Sequence, residues 1–365
     1  MLFIILSTLC LIYPNITLVD DNVFRRNIVT KNLTASSILE SYQLASKSRS
    51  SRLLNGDTKQ EVLTFITPWN DDGYRLTLEY GYKFSFVVPV WLQAKIVNNE
   101  YVIHGLDAIN EEWLTKMQRR NPHIIIAPRL MFEIPPLQFS MESKKVIESL
   151  RLNLIPLIQR YKFQGIFLEF PMYFSNPTVI KFLTPLIQGV RKAFSSKQAV
   201  ILADVPSRQK FYYDSATSKI IQNVIKSLDY AFISIYEMPQ DPSMAPINAF
   251  NSLVEWIQND IGGKLINKVI LGLPLFGFDY FGNERNYVFG NDVAEIITNN
   301  RVRIQWIDMY DEHVMFYTAN KQSHTLYYPT LYFLQRRFDM AASHNFAGVG
   351  FWELAQGMPY FFDLL

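Results

Sequence analysis

From residue 61 onward, short apolar runs alternate with longer stretches whose apolar residues recur every three or four positions. The runs are VLTFIT (62–67), FSFVVPV (84–90), HIIIAP (123–128), GIFLEF (165–170), AVILADV (199–205), AFISIY (231–236), KVILGLPL (268–275) and GVGFWEL (348–354). They are β-branched, aromatic and almost continuously apolar, as strands buried on both faces by flanking helices must be. The intervening stretches carry helix signals. Asn176-Pro177 precedes TVIKFLTPLIQGVRKAF as a cap followed by proline at the first helical position, and Pro329 opens TLYFLQRRFDMAASHNF in the same manner. NEEWLTKMQRR (110–120) has acids at its start and bases at its end, matching the helix dipole. Pro156 and Pro185 lie inside helical patterns and should kink or split them. Eight such strand–helix alternations predict an α/β fold, a (β/α)8 TIM barrel. An open doubly wound sheet is the rival, but TPWNDDGY (67–74) follows the first strand where a glycine-rich phosphate turn belongs. Residues 276–328 are too long for a simple connection. Their alternating, turn-punctuated second half predicts a small α+β insertion between strands seven and eight.

The N-terminus changes the domain picture. Residues 2–13 are apolar over a signal-peptide length, too short to span a bilayer, although no basic residue precedes them. The division is therefore a signal peptide over 1–19, an N-terminal extension over 20–60 with a short helix near 36–45, and the barrel over 61–365. The Ser/Lys/Arg run at 46–52 reads as a solvated, protease-sensitive segment. The single cysteine, Cys10, lies in the signal segment. A cleaved chain has no thiol for a disulfide, a nucleophile or a metal thiolate. Sequons at Asn15 and Asn32 fit a secretory route, with glycosylation expected at Asn32. Secretion, or retention in lysosomes, is the expected destination.

Composition removes several classes of function. The chain has 365 residues, 35 basic and 33 acidic side chains and a formal net charge of +2, so nothing points to nucleic acid. The five histidines are scattered without ligand spacing, and no G-x-S-x-G elbow or Walker loop occurs. No metal and no cofactor is implied. The content of 27 Phe, 20 Tyr and 6 Trp mostly describes a core of rings, with a minority free to form a stacking surface. In a barrel the working face is at the C-terminal ends of the strands. Trp69, Trp91, Glu169, Asp204, Tyr236-Glu237 and Trp352-Glu353 all fall there, together with Arg129 and Glu133 beyond strand three. Three tryptophans among carboxylates favour a carbohydrate cleft over three separate plugs.

These strand ends resemble glycoside hydrolase family 18, the chitinase-like barrels. The residues that carry the likeness are TPWNDDGY (67–74), PVWLQAK (89–95), APRLMFE (127–133), FQGIFLEF (163–170), ISIYE (233–237), VILGLPLFGFDY (269–280), YYPTLYFLQ (327–335) and GVGFWELAQGMPYFFDLL (348–365). The resemblance implies a groove for chito-oligosaccharides or other amino-sugar glycans. It places Trp352 at the floor of the central sugar subsite and Tyr236 at the strand-six tyrosine, with Glu237 where aspartate and Ser234 where methionine are usual. Active members read D-G-x-D-x-D-x-E on strand four, the terminal Glu protonating the leaving oxygen and the preceding Asp positioning the substrate's acetamido group. In that register this chain has Phe167, Glu169 and Pro171. No catalytic residue is therefore expected; Glu169 stands for the assisting aspartate and Pro171 for the acid. The leading reading is a lectin holding an amino-sugar glycan through Trp69, Trp91, Glu169, Tyr236, Glu237 and Trp352 without hydrolysis. A hydrolase with relocated acids, drawn from Glu133, Glu169, Asp204, Glu237 and Glu353, is the second reading. A scaffold with a vestigial groove, docking a scavenger or sorting receptor, is the third.

Overall fold

The computed structural model describes residues 23–44, 60–98, 100–133, 143–171, 176–208, 210, 213–237 and 242–365. The signal segment and the basic run at 46–52 lie outside them. The strands expected from the apolar runs form a curled parallel sheet: β1 (Glu61–Ile66), β2 (Phe86–Pro89), β3 in two pieces (Ile125–Ile126 and Arg129–Phe132), β4 (Gly165–Glu169), β5 (Val200–Asp204), β6 (Tyr230–Ser234), β7 (Val269–Pro274) and β8 (Gly348–Trp352). Each pairs with its neighbour in parallel register, and β8 returns to β1 with Val62 opposite Val349. The ring closes through the divided β3. Its first piece pairs with β2 and its second with β4, while Phe167 N–H donates to the Pro128 carbonyl at 3.0 Å. Pro128 has no N–H to continue the ladder, and the strand steps aside at that residue.

An antiparallel hairpin, Leu92–Val97 with Glu100–His104, continues the sheet beyond β2 and pairs in parallel with the second piece of β3. The apolar pattern did not announce it, because Gln93 and Lys95 interrupt the run. Pro156 and Pro185 sit inside the unbroken helices Ser143–Tyr161 and Pro177–Arg191, so neither splits its helix. Thr330, not Pro329, caps the helix Leu331–Ser343, its hydroxyl accepting from Phe333 N–H at 3.3 Å.

Strand parity divides the core. Leu63, Phe65, Phe86, Val88, Phe167, Leu202, Phe232 and Ile270 point into the barrel, and the alternate residues meet the helices. Phe232 fits only because β7 and β8 have glycine beside it: a Cβ on Gly272 would lie 2.5 Å from its ring, and one on Gly350 2.8 Å. Between β7 and β8 the chain builds a five-stranded antiparallel sheet over Gly277–Tyr327, with one helix, Gly290–Asn299. The N-terminal extension is not the plain polar lead-in its composition suggests. Residues 23–44 bury Val23, Ile28, Leu33 and Ile38 and form the helix Ala35–Leu44. They dock on the antiparallel sheet and the C-terminal turn. His313 Nε2–H donates to the Lys31 carbonyl at 3.1 Å, Tyr42 OH donates to Asn291 Oδ1 at 2.7 Å, and Arg26 lies 3.8 Å from Asp363. Burial lowers the His313 pKa to about 4, so the imidazole that ties this strap is neutral. Asn32 is exposed on the strap.

Candidate functional site

A cavity of about 460 Å³ opens at the C-terminal ends of the strands. Its floor is a set of rings meeting edge to face. Phe65 of β1 lies 4.9 Å from Phe167 of β4 and 5.3 Å from Phe232 of β6, centroid to centroid. Edge-to-face pairs of this kind add about 0.5–1.5 kcal/mol each beyond the area they bury. The Trp352 ring meets Phe65 at 5.1 Å, tilted by 55°, and lines the cavity. Phe167 is 1% exposed, a ring that packs the barrel mouth.

The polar groups stand above this floor. Glu169, two residues after Phe167 on the same face of β4, accepts from Arg129 Nη1 at 2.9 Å. The guanidinium comes from β3, opposite Phe167 in the register, and Arg129 does not itself line the cavity. Asp204 ends β5 and faces the same space. Burial, with the Glu169 charge acting in the same direction and Lys210 opposing it, pushes its carboxyl up to about 7. Lys210 Nζ donates to Ser234 Oγ at 2.8 Å and stands 5.2 Å from the Tyr236 ring. Burial lowers the Lys210 pKa, against the pull of Asp204 and Glu237. Tyr236, 8% exposed, packs edge-on to Phe276 at 5.8 Å, and burial raises its phenol well above the ordinary range. Glu237 adopts φ +55°, in the left-handed region, and accepts from Tyr287 OH at 2.7 Å. Tyr287 from the antiparallel sheet and Phe289, which caps the helix Gly290–Asn299, form one wall. Among the described residues no cluster of His, Cys, Asp and Glu could hold a metal ion.

The structure thus unites Phe167, Glu169, Tyr236, Glu237 and Trp352, and separates three residues from them. Trp91 is 3% exposed; its Nε1–H donates to Tyr74 OH at 2.7 Å and its ring meets Trp113 edge-on at 5.8 Å. Parity explains this placement. Phe86, Val88 and Val90 point into the barrel, so Trp91 points out into the helix layer. Trp69 is 69% exposed on the turn after β1 and does not line the cavity. Pro171 lies past the end of β4, whose last ladder position pairs Glu169 with Met131, and it is exposed rather than inward. Of the remaining acids, Glu133 pairs with Lys95 at 2.9 Å. Glu353 is buried behind Trp352, accepting from Asn70 Nδ2 at 3.0 Å and from Thr67 Oγ1 at 3.4 Å. Lys210, Phe276, Tyr287, Phe289 and Gln356 were missed. They sit in loops and in the antiparallel insertion, where strand parity gives no direction.

The model of the glycosyl hydrolases family 18 matches residues 138–357, more than half of the chain. The chain belongs to this family. Solved structures agree with the family 18 fold. A chitinase from Chromobacterium violaceum is similar at 15% identity and TM-score 0.67, with 84% of this chain and 97% of that one covered. The Group IV chitinase of Ostrinia furnacalis in complex with allosamidin is similar at 14% identity and TM-score 0.65, with coverages of 84% and 97%. A plant class V chitinase mutant from Cycas revoluta in complex with (GlcNAc)3 is similar at 13% identity and TM-score 0.66, with coverages of 83% and 98%. At these identities the likeness is one of fold.

Proposed function

We propose that this protein is a chitinase-like lectin that holds a chito-oligosaccharide or related amino-sugar glycan in the 460 Å³ cavity without hydrolysing it. The observation that carries the reading is the composition of β4. An aromatic plug and an ion-paired carboxylate occupy the positions of the assisting acids, and the position of the proton donor is an exposed proline outside the lining. Trp352 supplies the flat apolar face a pyranose ring stacks on, and Glu169, Glu237 and Lys210 supply polar contacts above it. The ligands in the allosamidin and (GlcNAc)3 complexes of similar structures support the choice of glycan. The test is calorimetric titration with chito-oligomers. Trp352→Ala removes a large stacking surface worth about 1.5–3 kcal/mol, so affinity should fall about 10- to 100-fold. Wild-type affinity in the variant, or turnover of chito-oligomers that Glu169→Gln abolishes, overturns the lectin reading.

One observation favours a hydrolase with relocated acids. Asp204 has its carboxyl pushed up to about 7 beside Glu169, whose partner is Arg129. An acid that keeps its proton, set beside an ion-paired carboxylate, is a pairing that glycoside hydrolysis can use. Turnover lost in Asp204→Asn establishes this reading; background rates across pH 4–8 remove it. Passage through the secretory route is proposed from the N-terminal segment and Asn32, and a mass shift lost in Asn32→Gln checks it.

A further inference from the structure

We propose that the opposite mouth of the barrel holds a second binding site, taking a short zwitterionic peptide with an apolar side chain between its charged ends. A cavity of about 420 Å³ lies there, among the N-terminal ends of the strands. Its base is the lowest layer of barrel side chains, Phe86, Ile125, Val200 and Tyr230, with the Phe86 and Tyr230 rings tilted at 5.3 Å. Tyr82 forms a wall beside this apolar base and is 43% exposed, with the Lys83 ammonium 5.9 Å from its ring. Two opposite charges line the same cavity without pairing with each other. Glu61, the first residue of β1, accepts only from the Tyr230 phenol, at 3.3 Å, and no cation pairs with it among the described residues. Arg120, ending the helix Glu111–Arg120, reaches the Leu78 carbonyl at 3.4 Å and meets no acid among the described residues.

The two charges come from different elements of this mouth. Ser85 N–H donates to the Val62 carbonyl and Ile125 N–H to the Ser85 carbonyl, so β1, β2 and β3 start side by side. Glu61 stands on the first of these strands, and Arg120 ends the helix that precedes β3 and reaches the Leu78 carbonyl at 3.4 Å. An extended tripeptide spans about 10 Å from end to end. Its ammonium would meet Glu61, its carboxylate Arg120, and its central side chain the Tyr82 and Phe86 rings. A neutral sugar would leave both charges unanswered, which separates this mouth chemically from the Trp352 cavity at the other end.

The experiment is isothermal titration of the full chain with Gly-Phe-Gly, its N-acetyl form and its C-terminal amide. The free tripeptide should bind saturably, and each blocked form should bind about tenfold more weakly, the equivalent of one charge-assisted contact. In Glu61→Gln acetylation should cease to matter, and in Arg120→Gln amidation should cease to matter; Trp352→Ala should bind as the wild type does. Both surface variants should unfold in urea at the wild-type midpoint. Absence of saturable binding overturns the proposal. So do blocked tripeptides that bind as well as the free one, or binding lost in Trp352→Ala.

Discussion

Glu353 offers a prediction that reaches from burial to pH. It is 1% exposed, and the donors to its carboxyl, the Asn70 amide, the Thr67 hydroxyl and the Ala355 backbone N–H, are all neutral. Burial outweighs the help of Asn70, Thr67 and the Ala355 N–H and raises its pKa from 4.5 to about 7. In the unfolded chain the carboxyl loses its proton near 4.5, whereas in the folded chain it keeps it to about 7. Between these values the folded state binds the extra proton, so stability falls as pH rises through the window. At 1.36 kcal/mol per pH unit the loss is about 3 kcal/mol, complete just above pH 7. Glu353→Gln cannot ionise and still accepts from Asn70. The measurement is urea unfolding of both proteins at pH 4.5, 6 and 8, read as the difference between them. That difference cancels the contribution of Asp204, whose raised pKa acts with the same sign. The variant should gain about 3 kcal/mol on the wild type between pH 4.5 and 8. A difference that stays constant within about 0.5 kcal/mol, the scale of a neutral substitution, refutes the reasoning.

Other consequences are directly measurable. Trp91→Phe keeps the ring but loses the Nε1–H bond to Tyr74; it should cost about 1 kcal/mol in urea unfolding and leave glycan affinity unchanged. Arg129→Gln strands the Glu169 carboxylate and should cost about 2 kcal/mol, less than for a fully buried pair because Glu169 is a quarter exposed; the double variant with Glu169→Gln should recover most of it. For His313 the sign is opposite to that of Glu353. The unfolded imidazole takes its proton at 6.5 and the folded one only at about 4, so stability is lost as pH falls between them, by about 3 kcal/mol. In His313→Gln that acid loss should disappear from unfolding curves at pH 7 and 4.

The barrel strands were legible because each is a continuous apolar run, the pattern only a doubly covered strand needs. The sideways step at Pro128 and the hairpin at 92–104 were not, since both depend on which neighbour a strand finds beyond its apolar segment. In the site, the residues on strands were readable by parity. Phe167 and Glu169 share a face, and the same rule applied to Val90 and Trp91 would have turned that tryptophan away from the cavity. Trp69 and Pro171 stand just past strand ends, where parity no longer governs direction. Lys210 and Tyr287 carry no local signal at all. Lys210 is brought in by a loop after β5, and Tyr287 by an insertion that folds back over the barrel mouth.

The strap over residues 23–44 has a consequence for how the molecule is made. It is the first described segment to leave the ribosome, yet its partners lie near the other end of the chain: Lys31 binds Asp308, and Tyr42 binds Asn291. During synthesis at ~5–20 residues per second, it emerges long before the surface it covers exists. Val23, Ile28, Leu33 and Ile38 must stay exposed while the intervening strands close into a ring. Such long-range pairing slows folding and leaves an apolar segment open to unwanted association. Docking of the strap is therefore a late step, and the nascent chain has greatest need of a chaperone before residues 291–313 emerge.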